Sequence, residues 1–171
     1  MTGAATQSPP IGVAILTASS SRAREGGADE SGDALAAFAA GIGGRVLGRE
    51  LLADDRGAIE AALRRWVADR GCDLVLTTGG TGFSPDDVTP EATAAVLERP
   101  APGVAEAMRA ASAAHTRHWM LSRGLAGIAG ATLIVNFPGS PKAIGEAGEA
   151  IAAVLPHAVE LLRGGSGGHG R

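Results

Sequence analysis

Apolar positions along this chain fall into two alternating kinds of block, short continuous runs and longer stretches spaced at helical period. Residues 11–19, IGVAILTAS, form a continuous, partly β-branched run that ends in hydroxyls, and predict a buried strand entering a loop. After a polar loop, Ser31 is placed to cap a helix through Ala40, which Gly41, Gly43 and Gly44 stop. Residues 45–52 predict a second strand. Between Asp55 and Arg70, the residues Ile59, Ala62, Leu63, Trp66 and Val67 fall at i, i+3, i+4, i+7 and i+8, which is one helix face, and Gly71 closes it. Residues 74–78 are a third apolar run. Thr89 as N-cap, with Pro90 in the first turn, starts another helix that Pro100 and Pro102 end.

The second half is less regular. Residues 103–114 read as a helix, and the two apolar runs around Gly127 and Gly130 read equally as a hairpin or as two separate sheet strands. Ser140 as cap and Pro141 in the first turn begin a terminal helix to Leu162, with Pro156 as a kink. Strands alternating with helices predict an α/β fold: a mostly parallel, doubly wound sheet covered on both faces, a three-layer α/β/α sandwich. A length of 171 residues with 45% hydrophobic residues fits one domain, over 11–163. The polar segment 1–10 and the glycine-rich segment 164–171 read as disordered tails. A net charge of −3 and no basic run argue against nucleic acid or an anionic membrane as partner. No apolar run approaches the ~18 residues of a membrane span, and no basic segment precedes the first apolar run, so a cytoplasmic protein is expected. Cys72, the single cysteine, reads as a small buried side chain.

In an open α/β sheet, ligands bind beyond the carboxyl ends of the strands. There this chain places Thr17 and Ser19 to Ser21 after the first strand, Asp54 and Asp55 after the second, and Thr78, Gly79, Gly80, Thr81, Gly82 and Asp87 after the third. Asn136, Pro138, Gly139 and Ser140 follow the last strand. Glycine turns and helix starts present N–H groups to anions, while carboxylates around them suit a divalent cation bridging phosphate oxygens. That combination points to phosphoryl or nucleotidyl chemistry. Turn formation and capping account for many of these residues singly, and either Asp54 or Asp55 can serve as the cap of the following helix. The GGTG segment lacks the spacing of a dinucleotide fingerprint and the Lys-Ser/Thr of a Walker loop. His115 and His118 have no third ligand in view, so no metal is assigned to them.

The strings TTGGTGFSPDDVTPEAT and LSRGLAGIAGATLIVNFPGSPKA resemble the MoaB/Mog family, the molybdopterin adenylyltransferases and the related gephyrin domain. VAILTASSSR, ADESG and LLADDRGAIEAAL follow the same running order, so the resemblance covers most of 11–163. It implies a molybdopterin-binding domain that transfers AMP from ATP to molybdopterin with Mg²⁺. The alternative within it is a non-catalytic scaffold that delivers the pterin to a molybdenum-insertion partner. By position it implies Asp54 and Asp87 as catalytic residues and Mg²⁺ ligands. It also implies substrate contacts from Thr17, Ser19, residues 78–82 and the Pro138, Gly139, Ser140 turn. A homotrimer, or a hexamer built from trimers, is implied as well. Two positions depart from the commoner pattern: Asp86 stands where a basic residue is frequent and Ser20 where an acidic one is.

Overall fold

In the computed structural model, which describes residues 9–164, strand β1 (Ile11–Ala18) is buried along its whole length. The chain continues through α1 (Ser20–Glu25), α2 (Glu30–Gly41), β2 (Gly44–Leu52), α3 (Arg56–Ala68), β3 (Leu74–Thr78) and α4 (Thr89–Ala94). It then forms β4 (Arg99–Pro100), α5 (Pro102–Ser112), a 3₁₀ turn (Arg117–Leu121), β5 (Ala126–Ala129), β6 (Thr132–Phe137), α6 (Pro141–Ala152) and α7 (Leu155–Leu162). The strands make one six-stranded sheet in the order β2-β1-β3-β6-β5-β4. Its first four members are parallel, and β5 and β4 join antiparallel.

The continuous apolar runs follow from burial on both sheet faces. Val13, Ile15, Leu74, Leu76, Val135 and Phe137 face one core with Leu35 of α2, Ile144 and Ile151 of α6 and Leu155 of α7. The alternate residues Ala14, Leu16, Val75 and Ile134 face the other, with Ile59, Ala62 and Leu63 of α3 and Ala92 of α4. This is the expected three-layer sandwich.

Several expectations are corrected by the structure. Asp29, not Ser31, caps α2, accepting the Gly32 N–H at 2.9 Å, while Ser31 is buried and donates to Gly139 O at 2.7 Å. The loop before it contains α1, a helix with no buried residue and therefore no apolar pattern to announce it. Val88, not Thr89, occupies the cap of α4. Thr89 is fully buried, and its Oγ1 has no hydrogen-bond partner among the described residues. That helix ends at Ala94, well before Pro100, which lies in the edge strand β4, where a residue without an N–H is tolerated. The open alternative around Gly130 resolves as a hairpin, with Ala129 opposite Thr132. Pro156 does more than kink the terminal helix: α6 stops at Ala152 and α7 restarts at Leu155 with Pro156 in its first turn. Apart from the ends at 9–10 and 164, the two predicted tails lie outside the described residues. No described helix is long and apolar enough to cross a membrane.

Asp73 ties the far ends of the chain together at the opening of β3. It accepts the Gly12 N–H at 2.7 Å and a two-pronged ion pair from Arg163 at 2.8 and 2.6 Å, and Arg163 also donates to the carbonyls of Pro9 and Pro10. Burial pushes the Asp73 carboxyl up, but the Arg163 hydrogen bond, the Gly12 N–H and the Arg163 charge together hold it below its ordinary value. Asp73→Asn is expected to cost about 1.5–3 kcal/mol in urea unfolding at pH 7. A carboxyl depressed by folding contributes fully above its unfolded value, near pH 4, and loses that contribution as pH falls through the folded one. The deficit of the variant should therefore shrink in acid. An equal deficit at pH 7 and pH 3 would refute the assignment.

Candidate active site

Registers along the sheet bring four strand ends level. Thr17 lies opposite both Leu51 and Thr78, and Thr78 opposite Phe137. The loops that leave β1, β2, β3 and β6 therefore meet on one rim, as the sequence predicts. Between them is a polar cleft of about 290 Å³ whose lining includes Thr17, Ser19, Arg22, Thr78, Gly79 and Gly139. Beyond the Pro138–Gly139 junction lies a second, largely apolar cavity of about 130 Å³, bounded by Met108, Ser112, His118, Trp119, Asn136 and Pro138.

The glycine loop is shaped by its backbone. Gly79 at φ +89 and Gly80 at φ +62 occupy the left-handed region. A methyl at Gly79 would stand 2.2 Å from Ala18 O, so this loop packs directly on the end of β1. A methyl at Gly80 would meet Thr89 Oγ1 at 2.5 Å and Asp54 Oδ1 at 3.4 Å, and one at Gly82 would meet Asp87 Oδ2 at 2.9 Å. The segment 80–82 is thus flanked by one carboxylate at each end.

Each carboxylate is held by one oxygen. Asp54 Oδ2 accepts the Ser20 N–H at 2.7 Å, and its own N–H donates to Ser20 Oγ at 2.8 Å. Asp55 is the residue that caps α3, accepting the Ala58 N–H at 2.7 Å, which leaves Asp54 to the rim. Asp87 Oδ2 accepts the Ser84 N–H at 2.9 Å, closing a turn whose outer residue, Asp86, is exposed. The other predicted residues have structural partners too. Thr17 donates to Asp29, Thr78 donates to Pro138 O at 2.7 Å, and Ser140 caps α6 through the Ala143 N–H. Thr81 is buried, and Ser19 Oγ lies 3.4 Å from Ser21 Oγ.

Sequence reasoning missed three charged residues here. Arg22 enters the cleft from α1, and Asp29 receives Thr17 Oγ1 and Arg49 while capping α2. Arg123 reaches the glycine loop from the segment before β5. It pairs with Glu91 and holds that carboxyl below its ordinary range, chiefly through their hydrogen bond. Asp29 and Arg123 sit inside the motif strings ADESG and LSRG, which were the only signal for them.

The residues here that could hold a cation such as Mg²⁺ are Asp54 and Asp87. Asp54 and Asp87 each offer hard oxygens, and among the described residues no group of three or more His, Cys, Asp or Glu converges as a closed cage would require. Mg²⁺ commonly takes one or two carboxylates and completes its shell with phosphate oxygens and water.

Residues 14–157 match the MoCF_biosynth family, described as "Probable molybdopterin binding domain". This chain belongs to the MoCF_biosynth family. It is 44% identical over 115 residues to the molybdopterin adenylyltransferase of Helicobacter pylori strain 26695, a match spanning 67% of this chain and 65% of that protein. It is 47% identical over 118 residues to the Drosophila melanogaster molybdenum cofactor synthesis protein cinnamon, spanning 69% of this chain and 20% of that much longer one. The matched segments thus span less than two thirds of these curated relatives. Among solved structures, the molybdopterin biosynthesis enzyme MoaB of Thermus thermophilus superposes with a TM-score of 0.84 at 45% identity. That superposition covers 90% of this chain and 97% of MoaB.

Proposed function

We propose that this chain transfers AMP from ATP to the terminal phosphate of molybdopterin. The observation that carries the reading is the pair Asp54 and Asp87, set at either end of the segment 80–82 in a glycine loop whose Gly79 lines the polar cleft. Family membership and the named adenylyltransferase relative support it. In this reaction a phosphate oxygen of molybdopterin forms a bond to the α-phosphorus of ATP, the bond from that phosphorus to the bridging oxygen breaks, and pyrophosphate leaves. No covalent bond to the protein is required.

Both reactants are anionic, so the protein's contribution is alignment and charge compensation. Asp54 and Asp87 would hold Mg²⁺, which when bound neutralises phosphate charge. Arg22 and the N–H groups of the glycine loop supply donors in the polar cleft. Ser140, the cap of α6, would hold the pterin or its phosphate, and the largely apolar cavity lined by Trp119 and His118 would take a flat heterocycle. A cytoplasmic location supplies the ATP. Purified protein given ATP, Mg²⁺ and molybdopterin should release pyrophosphate and form adenylylated molybdopterin. Pterin binding with no transfer would favour the scaffold that hands the compound to a molybdenum insertase.

The same reading includes a homotrimer or a hexamer built from two trimers. An apolar groove of about 400 Å³ between α5, β5 and α7, lined by Val104, Ile128, Leu133, Leu161 and Leu162, supports association. Light scattering at micromolar concentration should give a multiple of three protomers, and a monomer would refute it.

A further inference from the structure

We propose that Arg123 is the positioning residue of the glycine loop, the group that fixes Thr81, Gly82 and Asp87 in ligand-competent geometry. This rests on the adenylyl-transfer reading of the same site. The loop between β3 and α4 leaves the sheet at Gly79, and residues 83–86 are exposed to solvent. Within the loop, the turn from Ser84 to Asp87 closes on itself, and the Gly80 carbonyl accepts the Thr89 N–H. Beyond that single Gly80–Thr89 bond at the loop's base, what spans the two halves is Arg123. Its backbone N–H donates to Thr81 O at 2.9 Å, its Nε to Gly82 O at 2.7 Å and its Nη2 to Asp87 O at 2.6 Å. Its Nη1 pairs with Glu91, on the first turns of α4. One planar fork thus engages the loop before the exposed turn, the residue after it and the helix that follows.

Two consequences bear on the chemistry. Three carbonyl oxygens, which would repel a phosphate, are instead engaged by N–H donors of Arg123. The backbone of Asp87 is also pinned by a residue 36 positions along the chain, and on that fixed backbone the Ser84 N–H orients the carboxylate. Arg123 therefore acts through Asp87 and the loop. A lysine carries its three donors on one small ammonium and cannot span Gly82 O, Asp87 O and Glu91 as the planar fork does, although the backbone bond to Thr81 remains.

The test uses the full chain as Arg123→Lys and Arg123→Ala. In both, amide hydrogen exchange over residues 79–87 should rise at least about tenfold, with β1 and β6 unchanged. The kcat for AMP transfer should fall at least about tenfold, since small misplacements of reacting groups carry large rate costs. Millimolar guanidinium should re-protect the loop amides of Arg123→Ala and restore part of its turnover, and should do nothing for Asp87→Asn. Unchanged loop exchange, exchange rising equally across the sheet, or wild-type kcat in both variants would overturn the proposal. An inactive wild type would instead defeat the functional reading, and loop exchange with its guanidinium reversal would still decide the role of Arg123.

Discussion

Asp54→Asn and Asp87→Asn are each expected to reduce AMP transfer by at least about a hundredfold while leaving the protein folded. Neither carboxylate does much for the fold. Asp54 accepts a single N–H, from Ser20, and Asp87 a single N–H, from Ser84. An asparagine carbonyl accepts the same bond, so both local turns survive, and urea unfolding should change by no more than about 1 kcal/mol. On the proposed reading, each substitution removes one of the two carboxylates that would hold Mg²⁺ beside the glycine loop. Raising Mg²⁺ should therefore recover a larger fraction of activity in the variants than in the wild type. Asp55→Asn is the control, because Asp55 only caps α3 through Ala58 N–H. Pyrophosphate release measured across a Mg²⁺ titration decides the matter, and wild-type turnover in both variants would remove the two residues from the site.

Elements that bury a repeating face were legible in the sequence. Strand β1 announced itself as a run of eight buried residues, and α3 through Ile59, Ala62 and Leu63, all of which do face the core. Helix α1 was invisible because it buries nothing, and it is fixed by Ser20 meeting Asp54 34 residues away. Pro100 misled because its local meaning, a helix stop, was overridden by a distant partner: opposite Gly127 it becomes part of an edge strand. Pro156 was read as a bend in one helix and instead separates two, since its ring and missing N–H forbid continuation.

The rim was legible for a different reason. Strand ends in a parallel sheet lie together whatever the side chains are, so naming the loops after β1, β2, β3 and β6 named the rim. What the residue pattern alone left open, and only the family resemblance chose, was which of two adjacent aspartates faces it. Asp54 and Asp55 differ only in their partners, Ser20 in one case and Ala58 in the other. Arg123 was harder still, because it recognises backbone carbonyls, which carry no residue-type signature, at Gly82 and Asp87.

The glycine loop itself yields the second large effect, and its three glycines should separate stability from function. Gly79→Ala is expected to destabilise the protein by about 3 kcal/mol or more. Part of this is the cost of a side chain at φ +89, and part is a methyl 2.2 Å from Ala18 O. That oxygen belongs to β1, which is paired on both sides and cannot yield. Gly80→Ala has a smaller conformational penalty at φ +62, and its methyl presses on Thr89 Oγ1 and Asp54 Oδ1, which are side-chain atoms that can shift. Gly82→Ala has no such backbone penalty, and its methyl meets only the Asp87 carboxylate, with Oδ2 at 2.9 Å. This variant should unfold like the wild type while nucleotide affinity and turnover fall, because the carboxylate must swing aside. Valine at 80 or 82 should weaken binding further by filling the face that a phosphate would approach. Urea unfolding beside calorimetric titration of Mg²⁺-ATP measures both quantities for each variant. Wild-type affinity in Gly82→Ala and Gly80→Val together would mean that the loop is a turn and nothing more.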